Sequence, residues 1–278
     1  LHLSLRRQRQ MCIRDRLTGV VKSQDKGLLE KYLWGKDSLD LLKLCPNVSF
    51  DIAELLSWLK PLQHRAYSIS SSSKAHKNEV HLTVAALRWD HDNRSHKGVC
   101  STFLADNVPV GEQAGIFMSP NKSFRVPEDD TVPMIMVGPG TGVAPFRAFL
   151  EERRERSASG ANWLFFGDQH RKCDFIYEDE ISTFSETGLL TRLDLAFSRD
   201  QADKVYVQHR LIENGKDVYS QLENGGHFYV CGDATRMAKD VDKALHAIIE
   251  NHGKHDQDAA IEYVNRLKRE KRYVRDVY

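Results

Sequence analysis

The sequence predicts an antiparallel β-barrel preceded by a helical segment and followed by a doubly wound α/β domain with a mainly parallel sheet. Three observations support this prediction. Apolar residues recur at helical spacing as far as Lys60, short alternating or β-branched runs follow, and four strand-then-helix pairs stand in series after Pro133. The length of 278 residues suits about two domains of ordinary size.

Charge and cysteine content limit the possible classes of function. The 40 basic residues nearly balance the 39 acidic ones, so no overall field indicates a nucleic-acid or membrane-surface binder, and any anion site must be local. The five cysteines show no CxxC pair and no His/Cys cluster at metal-ligand spacing. We therefore expect free thiols in a reducing cytoplasm and no metal. No apolar stretch approaches the roughly 20 residues that span a bilayer, which predicts a soluble protein.

Residues 1–16, LHLSLRRQRQMCIRDR, differ in character from the rest of the chain. They contain five arginines but no apolar periodicity, and they lack the apolar core and small-residue cleavage site of a signal peptide. The string around MCIRDR is similar to translated sequencing adapter, which predicts a non-native segment. A disordered basic arm is the alternative.

Residues 17–60 are predicted to form a small helical segment. Asp51 suits a helix start, and Pro61 suits a stop. The apolar positions at helical spacing are Leu28, Leu29, Tyr32 and Leu33, then Ile52, Leu55, Leu56 and Leu59.

Residues 61–127 are predicted to form the small antiparallel barrel. Residues 64–70 (HRAYSIS) and 79–88 (EVHLTVAALR) have strand character and are separated by a polar loop. Further short strands are expected at 108–110 and 115–119, after a short helix at 101–106.

Residues 131–278 are predicted to form the α/β domain. The strands MIMVG, NWLFFG, TRLDLAFS and HFYVCG are each followed by a helical pattern, which indicates a doubly wound sheet. A last helix is expected from Gln257 to about Lys271, leading into the terminal RYVRDVY.

The glycine-rich turn VGPGTGVAPFR (137–147) follows the first strand of that domain. Gly138, Gly140 and Gly142 would let the backbone approach a phosphate or ribose, and the next helix begins with free N–H groups. The spacing is not GxGxxG, and such a turn is often only a tight connection, so the motif alone leaves both readings open.

Polar side chains after the third strand bear on which nucleotide would bind. A hydroxyl, a guanidinium and an ammonium at a strand's carboxyl end could bind the 2′-phosphate of NADP, where NAD-binding folds place an acid. This favours NADPH over NADH, although a solvated loop would carry the same charges, and Asp168 is a competing candidate for a ribose. The residues are Ser198, Arg199, Lys204, Tyr206 and Gln208.

A second group of residues lies in the predicted barrel. Arg65 could neutralise a pyrophosphate, Tyr67 could stack on a flat ring, and Ser68 alternates with them on one strand. Gly98 opens a short helix whose amides could bind the same pyrophosphate. The combination indicates a dinucleotide with a planar ring, although singly Tyr67 suits a core and Arg65 a surface.

These residues fall in motifs that resemble a known family. RAYS (65–68), GVCS (98–101), GPGTGVAPFR (138–147), SRDQ with KVYVQ (198–208), YVCGDATRMAKDV (229–241) and the terminal RDVY stand in the order found in the ferredoxin–NADP reductase superfamily. They are most similar to its diflavin branch and, within it, to the flavoproteins of assimilatory sulfite reduction. The resemblance extends over about residues 17–278.

The resemblance implies an FAD site. Arg65 would bind the phosphates, Tyr67 would lie against the isoalloxazine, and Ser68 would hydrogen-bond near flavin N5. Trp89 stands where relatives carry a tyrosine, so only its aromatic role carries over. The remaining implied FAD contacts are Ala66, Thr83, Val84, Ala85, Gly98, Val99, Cys100 and Ser101.

The resemblance also implies an NADPH site and a catalytic group. Cys231 would sit beside the nicotinamide and act with Ser68 and Asp276, while Tyr278 would stack on the flavin as a displaceable gate. A frayed terminus is the alternative for Tyr278. The implied nucleotide contacts are Gly138, Gly140, Thr141, Ser198, Arg199, Lys204, Val205, Tyr206, Val207, Gln208, Asp233 and Asp240.

The implied activity is transfer of hydride from NADPH to FAD. Electrons would then pass through FMN, in an N-terminal domain that this chain lacks, to a sulfite reductase haemoprotein. The full-length protein would be oligomeric. Another diflavin reductase serving a cytochrome-type acceptor, or a flavin-binding relay or sensor without turnover, are the alternatives.

Overall fold

The structure, a computed structural model, describes residues 15–43, 49, 51–91 and 93–278. The chain divides into two compact units, Leu1–Arg65 with Ala86–Glu112 and Ala66–Ala85 with Gln113–Tyr278. Because the described residues begin at 15, most of the predicted non-native segment, residues 1–16, lies outside them. Its last two residues, Asp15 and Arg16, begin a helical stretch.

The helical character predicted for residues 17–60 is confirmed where the structure describes them. Aspartates before α2, α3 and α4 accept hydrogen bonds from the first turn of the helix, and Asp51 accepts one from Ala53 N at 3.2 Å. The helices are α1 (residues 15–23), α2 (Lys26–Leu33), α3 (Ser38–Leu42) and α4 (Ile52–Trp58).

The first unit also contains a hairpin and a short helix. Strands β1 (Arg88–His91) and β2 (Arg94–Lys97) pair antiparallel, and helix α5 (Val99–Asn107) follows. Helix α5 confirms the short helix expected at 101–106.

The predicted barrel is not confirmed. In the described residues, antiparallel pairing is limited to the hairpin and, in the second unit, to a bridge between Ile69 and Leu82. The strands expected at 108–110 and 115–119 were wrong, because these residues form no ladder. Val110 and Ile116 are 107% and 70% exposed. Apolar alternation favours a strand only where a partner strand and a packed face receive it.

The second unit contains the predicted parallel sheet, with one strand more than expected. Its order is β5-β4-β3-β6-β7, and every neighbouring pair is parallel. The terminal RYVRDVY provides the extra strand. The strands are β3 (Met134–Val137), β4 (Asn162–Asp168), β5 (Arg192–Phe197), β6 (His227–Gly232) and β7 (Tyr273–Val277).

Helices follow the strands as predicted. A 3-10 turn (Gly140–Val143) leads into the first of them. The helices are α6 (Ala144–Glu155), α7 (Arg171–Asp174), α8 (Glu178–Glu186), α9 (Val207–Glu213), α10 (Gly215–Glu223), α11 (Met237–Gly253) and α12 (Gln257–Arg269).

The two faces of the sheet bury separate cores, as the alternation of side chains along a strand requires. Ile135 and Val137 of β3 belong to one core, whereas Met134 and Met136 belong to the other. Strands β4 and β6 divide in the same way. Because both faces are covered, the strands read as continuous apolar runs, which is typical of parallel sheets.

The strand order places a switch point between β3 and β6. From β3 the chain proceeds outward through β4 to β5, then returns to the other side of β3 to form β6 and β7. Ligands of open α/β sheets bind at such a point, beyond the carboxyl ends of the strands. The glycine-rich turn follows β3 directly and so lies at this crevice.

The described residues include three of the five cysteines. Cys100, Cys173 and Cys231 are free thiols, whereas Cys12 and Cys45 lie outside the described residues. Among the helices that the structure describes, none combines the length and the apolar character that a membrane crossing requires.

A buried arginine fixes the chain where β3 and β4 begin. The Arg153 side chain is 0% exposed. Its guanidinium donates to the carbonyl oxygens of Asp130 and Val132 at 3.2 Å and of Gly160 at 2.8 Å. Without that guanidinium, these oxygens would lose partners in a place that water does not readily reach.

We expect Arg153→Ala to lower the free energy of unfolding by about 3 kcal/mol, because it leaves buried acceptors unsatisfied and opens a cavity. The control is Arg154→Ala, which removes a neighbouring, exposed arginine and should change stability by less than about 0.5 kcal/mol. Urea unfolding monitored by circular dichroism measures both. Equal stabilities of the two variants would contradict the assigned role.

Candidate functional site

The turn after β3 is shaped by two glycine positions. Gly140 has a φ of 56°, a left-handed conformation that glycine adopts without strain. At Gly142, a Cβ atom would lie 2.2 Å from the carbonyl oxygen of Cys231. The turn can therefore lie directly against the end of β6 only because this residue has no side chain.

Three of the predicted catalytic residues come together beside this turn. The Ser68 hydroxyl donates to Asp276 Oδ2 at 2.9 Å, and Asp276 pairs in register with Cys231 on the neighbouring strand. The side chain of Cys231 is buried. A hydroxyl, a carboxylate and a thiol thus share one place at the carboxyl edge of the sheet.

The environment keeps the thiol protonated. Burial, together with the nearby carboxylate of Asp276, raises the pKa of Cys231 to about 12, against a lowering by the Ser68 hydroxyl. A neutral thiol is not a strong nucleophile. Its chemistry here is that of a small polarizable group and weak hydrogen-bond donor.

Tyr278 is tied to the sheet and is not a frayed end. Its N–H donates to Gly232 O at 3.1 Å, and its carbonyl accepts from Ala234 N at 3.0 Å. Its phenol lies 2.8 Å from Thr141 Oγ1 in the glycine-rich turn. The side chain is 65% exposed. An ordered aromatic ring with one open face therefore borders the crevice.

The residues predicted to recognise the 2′-phosphate follow β5. Backbone bonds from Ser198 N to Asp168 O at 2.8 Å and from Arg199 N to Gln169 O at 2.9 Å continue the pairing beyond the strand. Ser198 is buried, whereas Arg199, Lys204 and Tyr206 are exposed. Val205 and Val207 pack on or within the core, and Gln208 is half-buried.

Two cations in this group have no acidic partner among the described residues. Among the residues that the structure describes, Arg199 and Lys204 take part in no ion pair, whereas the nearby Arg192 and Arg210 are paired with carboxylates. Unpaired cations on one loop provide a local positive field in a chain of almost zero net charge. Because composition predicts that any anion site is local, this loop is a candidate for one.

Asp168 borders the glycine-rich turn from the β4 side. A Cβ atom on Gly140 would lie 3.5 Å from its Oδ2 atom. Burial raises the pKa of Asp168, against a hydrogen bond from Gln169 N at 2.7 Å. Its position suits the ribose role that the sequence left open as an alternative.

The acidic residues after β6 differ from each other in their contacts. Asp233 accepts the hydroxyl of Thr235 and the N–H groups of Arg236 and Met237, which hold the pKa of Asp233 well below its usual range. It thus fixes the start of α11. Asp240 lies one turn into that helix, 3.5 Å from Lys243 Nζ.

Several predicted flavin contacts lie in the second unit. Tyr67 is half-buried, and Ala66 and Ala85 are exposed. The hydroxyl of Thr83 lies 2.7 Å from the phenol of Tyr177. Val84 follows Thr83 and is half-buried.

The other predicted flavin contacts lie in the first unit. Gly98 precedes α5 as its cap without a side-chain hydrogen bond to the helix, and the Ser101 hydroxyl accepts from Leu87 N at 3.1 Å. Trp89 stacks on His96 with 5.1 Å between ring centroids. Arg65, Val99 and Cys100 have exposed or half-buried side chains.

Sequence reasoning missed two residues that organise the second unit. Arg147 closes the motif GPGTGVAPFR, and Tyr177 directly precedes the helix that begins at Glu178, but neither residue was assigned a role. Arg147 donates to Ser70 O at 2.5 Å and to Glu180 at 2.7 Å. The sequence could have indicated Arg147, because it is an arginine in the first turn of the helix that follows the glycine-rich turn. No sequence feature indicated Tyr177.

Two clusters within the described residues have the composition of metal sites, namely His76, Glu79 and His81 in one and Asp37, Asp40 and His96 in the other. In the first, His81 Nε2 lies 3.1 Å from Glu79, and Arg147 lies 3.3 Å from the other ring nitrogen, Nδ1. In the second, the guanidinium of Arg94 bridges Asp37 and Asp40.

Two family profiles match parts of the chain that contain the predicted site residues. A family profile described as an oxidoreductase NAD-binding domain matches residues 136–243, and one described as an FAD binding domain matches residues 12–103. The first range contains the glycine-rich turn and the loop after β5 that carries Arg199 and Lys204. The second contains the RAYS and GVCS motifs. These matches confirm the resemblance that the motifs indicated.

The chain is similar to NADPH sulfite reductase flavoprotein alpha-components. It is 46% identical to that of Vibrio parahaemolyticus over 92% of this chain and 41% of the relative. It is 46% identical to that of Vibrio cholerae (strain El Tor Inaba N16961) over 95% and 42%, and 44% identical to that of Serratia proteamaculans over 95% and 44%. The chain thus spans about two fifths of the length of these relatives.

The raised pKa of Cys231 leads to a testable difference in thiol reactivity. At pH 8 a thiol of pKa about 12 is only about one part in ten thousand thiolate. We therefore expect iodoacetamide to modify exposed Cys173 on the order of 100-fold faster than buried Cys231. Peptide mass spectrometry over time measures both rates.

Denaturant provides the control for this experiment, since both thiols should react at similar rates once the chain is unfolded. A native rate for Cys231 equal to that of Cys173 would contradict the buried, protonated state.

Proposed function

We propose that this chain is the FAD- and NADPH-binding part of a sulfite reductase flavoprotein. It would accept hydride from NADPH onto FAD and pass electrons through FMN to a haemoprotein that reduces sulfite. The observation that carries the proposal is the convergence of Ser68, Cys231 and Asp276 beside the glycine-rich turn. The homology to sulfite reductase flavoproteins supports the identity of the acceptor.

The residues present fit NADPH. Arg199 and Lys204 are exposed cations without acidic partners among the described residues, and a phosphate would satisfy both. Gly138, Gly140 and Thr141 border the crevice beyond β3, where a nucleotide would approach the backbone. We assign the remaining nucleotide contacts to Ser198, Val205, Tyr206, Val207, Gln208 and Asp240.

The residues present also fit a flavin. Thr83 and Ser68 place two hydroxyls on neighbouring segments that are joined by the Ile69–Leu82 bridge, and the ring of Tyr278 is ordered but exposed. Aromatic rings and hydroxyls of this kind can contact a flat heteroaromatic ring and its polar edge. We assign the remaining flavin contacts to Arg65, Ala66, Tyr67, Val84, Ala85, Trp89, Gly98, Val99, Cys100 and Ser101.

When bound, the flavin supplies the electron chemistry, so the protein contributes position and charge. Ser68 holds its hydroxyl proton toward Asp276, which keeps one negative charge at the carboxyl edge of β7. Cys231 retains its proton and adds bulk without charge. The ring of Tyr278 borders the crevice and would move aside when a second flat ring stacks on the flavin.

The domain arrangement is part of the proposal. Residues 17–60 would form a connecting segment, 61–127 the FAD-binding region and 131–278 the NADPH domain, with 1–16 outside the native protein. A barrel for 61–127 is supported by the antiparallel β1–β2 hairpin and the Ile69–Leu82 bridge. The same proposal includes an FMN domain and a haemoprotein partner. It also includes an oligomeric full-length protein and a cytoplasmic location.

The first prediction of the proposal concerns the flavin. We expect the purified chain to bind FAD, to show flavin absorbance, and to lose that absorbance within seconds of adding NADPH because hydride reaches the flavin. Stopped-flow absorbance measures the change. Steady NADPH consumption with ferricyanide should accompany it.

Other outcomes would identify the alternatives. A flavin sensor or relay would bind FAD but consume no NADPH with ferricyanide, and a chain without FAD would contradict the proposal. Reduction of a cytochrome, but not of a sulfite reductase haemoprotein, after addition of an FMN domain would favour another diflavin reductase.

The second prediction concerns the choice of nucleotide. Arg199→Ala should raise KM for NADPH by about 30-fold, because a charge-assisted contact to a phosphate contributes about 2 kcal/mol. KM for NADH should change less than about twofold, since NADH has no 2′-phosphate. Steady-state kinetics with ferricyanide measures both constants.

Lys216→Ala is the matched control, since it removes an exposed cation outside the proposed site. Equal losses for NADPH and NADH in Arg199→Ala would remove the assignment of this residue to the 2′-phosphate.

A further inference from the structure

Tyr177 adopts a backbone conformation that its side chain disfavours. It has a φ of 61° and a ψ of 23°, in the left-handed region, immediately before α8. Glycine would occupy this region without strain, and a bulky aromatic residue rarely does. Strained residues persist where the surroundings fix them, and they cluster at functional sites. The contacts of the Tyr177 side chain therefore indicate which function the strained conformation supports.

The side chain of Tyr177 reaches two other parts of the second unit. Its phenol lies 2.7 Å from Thr83 Oγ1, and the guanidinium carbon of Arg147 lies 5.2 Å from the centre of its ring. The first contact is a hydrogen bond between hydroxyls, and the second is a cation–π contact. The left-handed turn thus directs the ring between α6 and the segment that carries Thr83.

Arg147 contacts both the segment that carries Thr83 and the segment that carries Ser68. It donates to Ser70 O at 2.5 Å and contacts His81 Nδ1 at 3.3 Å, two residues from Ser68 and from Thr83 respectively. Its other N–H groups are held by Glu151 at 3.1 Å and Glu180 at 2.7 Å. The arginine is itself fixed by two carboxylates, so Tyr177 packs against a rigid cation.

We propose that Tyr177 is a positioning residue that fixes the Thr83 hydroxyl toward the flavin. This inference rests on the proposed function, in which Thr83 contacts FAD. A threonine hydroxyl has one proton and two lone pairs, and its bond to Tyr177 uses one of these and selects one rotamer of Thr83. The remaining hydrogen-bonding capacity of the hydroxyl then points in a fixed direction before the flavin binds, which lowers the entropic cost of binding.

Removing the phenol hydroxyl alone tests this role. In the full chain, Tyr177→Phe keeps the ring and its packing on Arg147 but loses the bond to Thr83. We expect the dissociation constant of FAD to rise about fivefold, within the range for one hydrogen bond, and the absorbance band of the bound flavin to shift. Fluorescence titration and absorbance spectra of FAD with the purified chain measure both.

Thr83 variants separate positioning from general stability. Thr83→Val should weaken FAD binding similarly, and the double variant should be no weaker than the weaker single variant, because both remove one interaction. Thr83→Ser should retain most of the affinity. Additive losses in the double variant would overturn the proposal.

Tyr263→Phe is the matched control, since it removes a phenol that bonds to Glu223 at 2.7 Å elsewhere in the second unit. It should leave FAD affinity and spectrum unchanged. If Tyr177→Phe behaves like this control while the unaltered chain binds FAD, the positioning role is wrong and the proposed function stands. If the unaltered chain does not bind FAD, both are wrong.

Discussion

The close approach of Gly142 to the backbone of Cys231 is the constraint on which the candidate site depends. With no Cβ at that position, the turn after β3 lies directly on the end of β6, at the switch point of the sheet. Strand β7 pairs with β6, so Asp276 is placed beside Cys231 and Tyr278 reaches Thr141 of the same turn. One missing side chain thus brings three separate parts of the sequence to one edge.

The α/β domain could be predicted because its signals are local. Apolar runs of strand length followed by helical periodicity identify each pair, and the two cores of the sheet follow from alternation within those runs. Strand β7 lacked such a signal, since Arg275 and Asp276 interrupt its apolar residues. The left-handed turn at Tyr177 also lacked one, since nothing in that residue type indicates such a conformation. The motifs predicted which residues would form the site, whereas the hydrogen bonds among them depend on the folded chain.

The barrel shows the opposite case, in which a local pattern was insufficient. Alternating residues in 79–88 and 115–119 favour strands, yet strands are stable only when a neighbour pairs with them and a core covers one face. Leu82 and Phe117 are 40% and 66% exposed. The pairing of strands that are distant in the sequence cannot be predicted from any one short segment. The residues predicted to bind one flavin are divided between the two compact units.

The distribution of charge along the sheet edge supports a nicotinamide dinucleotide over a small anion. Arg199 and Lys204 lie beyond β5, whereas the carboxylate of Asp276 lies on β7, beside the neutral thiol of Cys231. Strands β5 and β7 are four strand spacings apart, or about 19 Å. A ligand that spans this edge needs an anionic group near the cations beyond β5. Its other end must be neutral or positively charged, because it lies near the carboxylate of Asp276. A 2′-phosphate at the cations and a nicotinamide, which becomes cationic on oxidation, at Asp276 meet both requirements.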